Sequence, residues 1–510
     1  GDILLTNDSY IMGSHLNHMI FSLPIFWEGR LTAFASSMAH WQDVGGVLRG
    51  TTRDIYSEGL QLPIVKIFKR GMQDHELTDI IRTNVRFPEL AMGDFRAQVA
   101  SIKTGERRVT DVLRRYGAET FESSIRRIYA QSESLARAAV RDIPDGTYEA
   151  ESFMDDDGIS IGRTIPVRVK VTVEGEQMTI DLSEVSPQVA GYFNSGRTAG
   201  RSAAQVAFKC LTTPLHLPIN DGSFGPLDIV LPPGRVVSAT KPAPTRYWMT
   251  IPMTIVDTII RAMAPAIPRR VMAGHYCDLV PAASIGLDPR TGRIFWGSVG
   301  YPGGGWGAKY DSDGMCGTVC INDGDTHNAP AESNEAKQPI VIEEYALRQD
   351  SGGAGLFRGG LGIRRKTRLL AQATLNSQIE RTKCPPWGLF GGLEAIPNNI
   401  SVEHADGSRF QPPNGKIEAR QLSPGDVVAC ESGGGGGFGN PLERPPVAVL
   451  ADVRLGYVSI EAARRDYGVT IVPGDPPDLD VEATERLRAQ FQWANASQLS
   501  EHRHISARAD

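Results

Sequence analysis

Three histidines fall close together near the start of the chain, in Gly13-Ser14-His15-Leu16-Asn17-His18 and in Ala39-His40-Trp41-Gln42-Asp43, out of ten in all 510 residues. Asp43 stands beside them, and Asp8 lies just upstream in Asn7-Asp8-Ser9-Tyr10. Neutral imidazole and carboxylate are ligands that zinc and manganese take, and each must have lost its proton before the ion binds. Three protein ligands leave a position open for water or substrate, which is how a catalytic metal site is built. The expected metal set is therefore His15, His18 and His40 with Asp43, and zinc or manganese as the ion. Asp8 and Glu58, the latter in Tyr56-Ser57-Glu58-Gly59-Leu60, are the candidate acid–base carboxylates, with Glu332 and Glu335 as further ones. The competing reading makes the histidines turn caps and the carboxylates structural.

The elements around these residues give the spacing its meaning. Ile20 to Phe26 and Leu31 to Ser36 read as strands joined by a Glu28-Gly29 turn. Paired as a hairpin, they bring His15 and His18 to the same end as His40. From Gly93 to about Val140 apolar residues recur at helical spacing, with Gly117 as a stop between two helices that form a packed pair. Pro144-Asp145-Gly146 then opens a strand-rich stretch. Val167, Val169, Val171 and Val173 alternate up to a Glu174-Gly175-Glu176 turn, and Met178, Ile180 and Leu182 alternate back. Helices are expected over Arg201 to Leu211, Met249 to Met263, Pro446 to Val453 and Ser459 to Asp466, with a last one near Val481 to Ala494.

The fold class that follows is α+β, a large multi-domain mixed fold with strand-rich regions and inserted helical pairs. The segments are a metal-site strand and loop region over 1–90, a helical pair over 91–145 and mixed α/β structure over 146–270. A strand-rich, Gly-rich region over 271–445 and a helical tail over 446–510 follow. Ile3 to Leu5 reads as a buried strand immediately at the first residues, so the natural protein is expected to begin upstream.

Composition removes several function classes. The net charge is −6, from 53 basic and 59 acidic residues, without a basic block, so nucleic acid is not an expected partner. No apolar run approaches the roughly 20 residues a membrane span needs. Six scattered cysteines fit reduced thiols in a cytoplasmic protein. Cys316, Cys320 and His327 read as loop or core groups rather than a zinc cluster. The run Gly433 to Gly437 fits GxGxxG on paper, yet Asn440-Pro441 follows where a dinucleotide fingerprint opens a helix. Close backbone packing, or a turn needing positive φ, explains the tract better. There is no GxxxxGK[ST] loop, so ATP, if used, belongs on another subunit.

Many separated motifs in order are similar to one family. They include Asn7-Asp8-Ser9-Tyr10, Ala39-His40 with Asp43-Val44-Gly45-Gly46, Ile55-Tyr56 with Glu58-Gly59-Leu60, and Asn84-Val85-Arg86. Later come Arg96-Ala97-Gln98, Asn328-Ala329-Pro330, Asp350-Ser351-Gly352-Gly353, Phe357-Arg358-Gly359-Gly360, Pro386-Trp387-Gly388 and Pro441-Leu442-Glu443-Arg444. The chain resembles the hydantoinase B/oxoprolinase family, which covers subunits of ATP-dependent hydantoinases, the carboxyl half of oxoprolinases, and large subunits of acetone and acetophenone carboxylases. The resemblance implies a metal on His15, His18 and His40, although the family pattern His-x-x-Asp is here His15-Leu16-Asn17-His18. It implies a hydantoinase A-like ATPase partner that binds ATP with magnesium. It further implies hydrolytic opening of a phosphorylated cyclic amide, a hydantoin or a lactam, as the lead reaction. ATP-dependent carboxylation of a ketone is the alternative, and a non-catalytic scaffold subunit is the third reading.

Overall fold

The computed structural model describes residues 1–11, 14–47, 51–213, 219–321, 324 and 327–490. The chain divides into two compact units, Gly1–Ile267 and Pro268–Asp510. Mixed sheets and helices build both, in keeping with the expected α+β class.

The first unit opens with strands β1 (Ile3–Thr6), β2 (His18–Trp27), β3 (Arg30–His40), β4 (Val65–Lys69) and β5 (Met72–Gln73). They form one antiparallel sheet in the order β3-β2-β1-β4-β5. Alternation in β2 sends Met19, Phe21, Leu23 and Ile25 into the core, each at most 3% exposed. Glu28 and Gly29, both at positive φ (48° and 79°), make the two-residue turn of the β2–β3 hairpin.

Three helices follow, α1 (His75–Asn84), α2 (Pro88–Tyr116) and α3 (Ala118–Arg141). Pro88 starts α2 at a position where its missing N–H costs nothing, and Gly117, at φ 77°, breaks the chain between α2 and α3. The helical pair expected from periodicity is thus present, but α2 spends its apolar face on the hairpin. Phe95 meets Phe21 edge-on with ring centres 5.3 Å apart and lies 6.2 Å from Phe68. Beside them Gln98 accepts from Trp41 Nε1 at 2.8 Å and donates to the Met19 carbonyl at 2.9 Å, so the buried polar groups are paired. Helix α1 was not among the expected elements; Asp74, whose carboxylate accepts from Leu77 N, is the cap that marks it.

A second sheet has the order β6 (Gly146–Met154), β7 (Ile165–Glu174), β8 (Gln177–Asp181) and β9 (Leu227–Val230). The expected β7–β8 hairpin is there, with Glu174 opposite Gln177 across the turn. Helices α4 (Arg197–Thr212) and α5 (Thr250–Ala262) pack with it, and α5 is buried at every position except Arg261. A helix buried on all of its faces belongs in a core.

Among the described residues the second unit contains two larger antiparallel sheets and a two-stranded one of Ile471–Val472 with Asp478–Leu479. One of the larger two has the order β11 (Arg293–Ser298), β10 (Ala282–Asp288), β14 (Ala373–Gln378) and β17 (Lys416–Leu422). The other runs β12 (Ile340–Leu347), β13 (Ile363–Leu369), β18 (Val427–Glu431), β15 (Asn399–Glu403) and β16 (Arg409–Phe410). Helices α6 (Ala331–Lys337), α7 (Pro446–Arg454) and α8 (Ile460–Tyr467) also belong to this unit, and residues 481–490 are helical. The end of the last expected helix, beyond 490, lies outside the described residues.

The glycine tract is explained by packing. Successive amides of Gly434, Gly435, Gly436 and Gly437 donate to the carbonyls of Ile396, Gly360, Gly274 and Leu393. The partner segment recurs after three residues, which is the repeat of a polyproline II conformation. A Cβ on Gly434, Gly435 or Gly436 would lie 1.9 Å from the carbonyl oxygen of Ser351, Trp306 or Trp387. No side chain fits at those positions. Of the two explanations offered by the sequence, close approach is the one that holds, since positive φ occurs only afterwards, at Gly439.

Candidate metal centre

The three histidines converge by two routes. His18 and His40 are direct register partners at the open end of the hairpin, so strand pairing sets their separation. His15 comes from the preceding turn, whose backbone closes with His18 N donating to the His15 carbonyl at 3.1 Å. Two asparagines fix that turn. Asn17 exchanges bonds with the backbone of Trp41, both at 2.8 Å, which ties the turn to the end of β3. Asn7, fully buried, donates to the carbonyls of Leu16 and Leu60 and accepts from Leu62 N.

The imidazole centres stand 4.5 Å (His15–His18), 4.9 Å (His15–His40) and 5.5 Å (His18–His40) apart. His15 Nδ1 lies 3.1 Å from the carbonyl oxygen of Arg246. A carbonyl only accepts, so Nδ1 carries the hydrogen and Nε2 presents a lone pair. That Nε2 is buried and has no hydrogen-bond partner. His18 is oriented in turn by the Ser14 hydroxyl, 2.5 Å from its Nδ1. Orientation through the second ring nitrogen is how metal-ligating histidines are usually held.

Electrostatics keep the cluster uncharged. Burial pushes His15 well below the ordinary histidine range, and the neighbouring His18 and His40 push it further. His18 is lowered to about 4, mainly by burial and then by His40. His40, at the more open end of β3, is also lowered by loss of solvent around its ring. Three neutral imidazoles, one of them with an orphaned lone pair, are in the protonation state that a divalent ion of borderline softness requires, because no proton has to be displaced at neutral pH.

The carboxylates are placed differently from one another. Asp43 gives both oxygens to Arg86, Oδ2 to the backbone N–H at 2.5 Å and Oδ1 to the guanidinium at 2.6 Å. It braces the loop after β3. Asp8 is half-buried and accepts from Tyr10 N at 2.9 Å. Glu58 is 7% exposed, and its Oε1 accepts from Thr52 Oγ1 at 2.6 Å and Arg246 N at 3.0 Å, while Oε2 accepts from Thr245 N at 3.0 Å. Burial raises its pKa and these bonds oppose the rise. Glu58 therefore fixes the backbone whose carbonyl sets the His15 tautomer. Glu335, on the exposed α6, accepts from Ile342 N at 2.8 Å.

Arg246 and Trp248 have no mark in the sequence that links them to the histidines. The Trp248 ring centre lies 6.2 Å from that of His15 and 5.7 Å from that of His18. They arrive from more than 200 residues downstream, which no local spacing rule can detect.

A sequence model of the hydantoinase B/oxoprolinase family matches residues 1–441. The caprolactamase subunit beta of Pseudomonas jessenii is 33% identical over 507 residues, covering 96% of this chain and 85% of that one. The crystal structure of ATP-dependent caprolactamase from Pseudomonas jessenii superposes with a TM-score of 0.87 at 30% identity, covering 96% of this chain and 86% of that one. A nucleotide-free acetone carboxylase structure superposes with a TM-score of 0.90 over 98% of this chain and 73% of that one; at 21% identity it speaks for the fold alone. No helix among the described residues is long and apolar enough to cross a membrane. A match over residues 1–441, with a 33% identical relative along nearly the whole chain, places this protein in the hydantoinase B/oxoprolinase family.

Proposed function

We propose that this chain is the metal-dependent subunit of an ATP-dependent complex that opens a cyclic amide, a hydantoin or a lactam, after a partner ATPase subunit has phosphorylated it. The observation that carries this reading is the buried, unpartnered Nε2 of His15 within a cluster of three neutral imidazoles. His15, His18 and His40 would hold a divalent ion, zinc or manganese. When bound, such an ion supplies a Lewis acid that brings the pKa of water to about 7. The name of the caprolactamase relative, a lactam-opening enzyme described as ATP-dependent, supports the substrate class.

The chemistry needs few groups. Phosphorylation of the amide oxygen gives the ring carbon a leaving group that an amide lacks. Water adds to that carbon, the C–N bond breaks as nitrogen takes a proton, and a second water releases phosphate from the remaining acyl phosphate. Asp8, half-buried and bonded to Tyr10 N, is the carboxylate left to move protons. Glu58, with both oxygens engaged, positions Arg246 and through it His15. Asp43 acts through Arg86 as a brace.

The test uses the assembled complex with ATP, cyclic amides and ketones, ¹⁸O-water and labelled bicarbonate. Hydrolysis places water oxygen in the product carboxylate and is indifferent to bicarbonate. Stable incorporation of the labelled carbon would instead establish a carboxylase, and no ATP-dependent turnover of either class would leave a scaffold subunit.

A further inference from the structure

Two polar atoms beside the histidines are buried without a hydrogen-bond partner, His15 Nε2 and the indole Nε1 of Trp248. They differ in chemistry. The first is a lone pair and the second is a donor with no capacity to accept. Buried donors are almost always paired, and one left over calls for an acceptor that the protein itself does not provide. The indole is centred 5.7 Å from the His18 ring and 6.2 Å from the His15 ring, so both orphaned groups belong to one cluster of rings. A cation on the lone pair, with an anionic oxygen next to it, would satisfy the two together.

We propose that Trp248 recognises the substrate of this site, its indole N–H donating to a phosphoryl oxygen of the phosphorylated cyclic amide beside the three histidines. The inference rests on the metal-centre reading above. The surroundings hold the ring in place and carry one positive charge beside it. The Trp248 backbone is held by its N–H bond to the Thr245 carbonyl at 3.2 Å, and Thr245 N is itself bound by Glu58, so the ring belongs to the segment that orients His15. Arg246, two residues away, has its guanidinium bonded to the Val47 carbonyl at 2.8 Å, and its positive charge is felt at His15. Hydrogen bonds to ionised acceptors are about twice as strong as those to neutral ones, so the N–H discriminates a phosphorylated from an unmodified amide. Trp248 is thus a specificity residue, one that lets the site receive the activated substrate and reject its precursor.

The test removes the donor and keeps the ring. Trp248→Phe and wild-type protein are loaded with zinc, whose stoichiometry is measured by equilibrium dialysis and elemental analysis. Inorganic phosphate is then titrated calorimetrically into each. The expected result is unchanged zinc binding with phosphate affinity about tenfold weaker in the variant. Equal phosphate affinity overturns the proposal, and so does loss of zinc from the variant, since Trp248 would then support the histidines and not the ligand. Zinc-loaded wild type that takes no phosphate also overturns it. Wild type that takes no zinc defeats the metal-centre reading, and the proposal falls with it. A second measurement is independent of whether the variant folds. In wild type labelled with ¹⁵N-tryptophan, phosphate added to the zinc-loaded protein is expected to shift one of the seven indole N–H resonances downfield. No shifted indole resonance overturns the proposal.

Discussion

His18 and His40 close the ladder of the β2–β3 hairpin as direct cross-strand partners, their ring centres 5.5 Å apart. Their spacing is a property of strand register. Slipping one strand by a single residue would send one imidazole to the opposite face of the sheet. The Glu28-Gly29 turn, which fixes the register, is therefore part of the site although it lies at the far end of the hairpin.

Removing one imidazole at a time should abolish metal binding without unfolding the chain. Elemental analysis of His15→Ala, His18→Ala and His40→Ala is expected to show less than a tenth of the wild-type metal, with unchanged far-ultraviolet circular dichroism. Equal metal in His40→Ala and wild type would take His40 out of the ligand set.

Replacing Asp43 should separate a brace from a ligand. Asp43→Asn leaves Arg86 without its ion pair and is expected to cost about 1–3 kcal/mol, because the carboxylate is buried while Arg86 is partly exposed. Chemical denaturation reads that loss. Metal content is expected to stay at the wild-type level, and a fall in it would make Asp43 a ligand.

Glu58→Ala leaves the backbone N–H groups of Thr245 and Arg246 without an acceptor. The expected destabilisation is about 2–4 kcal/mol from those lost bonds. Metal affinity should weaken as well, since the Arg246 carbonyl no longer holds His15. Glu58→Gln keeps one acceptor oxygen and is expected to recover part of both quantities. A wild-type metal affinity in Glu58→Ala would remove the coupling.

The metal-free protein should lose stability in mild acid. His15, His18 and His40 all have lowered pKa values when folded, His18 at about 4, against 6.5 for a free histidine. Between those values the unfolded chain holds more protons than the folded one, so stability rises with pH through this window. It is complete above about pH 6.5 and is lost as pH falls toward 4. Denaturant midpoints measured across that range check it, and His18→Asn should flatten the slope. A wild-type midpoint that stays constant from pH 6.5 to 4 contradicts the prediction.

Gly435→Ala should prevent the second unit from folding. The added carbon would sit 1.9 Å from the Trp306 carbonyl oxygen, a backbone atom that cannot rotate away. A cost above about 4 kcal/mol is expected, in the range reserved for overpacked cores and strained backbones. Soluble yield and thermal melting give the answer, and near-normal melting would show that the packing around the tract can open.

What the sequence determined by itself is the local part of this protein. Alternation in β2, with Glu28-Gly29 as its turn, was enough to bring His18 and His40 together, because a hairpin pairs neighbours in the chain, whereas His15 is placed by the turn before β2. Helical periodicity with a Gly117 stop located α2 and α3, although only packing decided that α2 lies against the hairpin. The glycine tract announced close backbone packing or a turn with positive φ, and only the structure decided for the first. Only the tertiary structure decided the remainder of the site. Glu58 and Asp43 carry the same functional group, yet one orients the segment behind His15 and the other neutralises Arg86. The Arg246 carbonyl and the Trp248 indole come from more than 200 residues away. Contacts between such distant residues leave no periodic trace, because each depends on how separate elements pack and not on the spacing within any one of them.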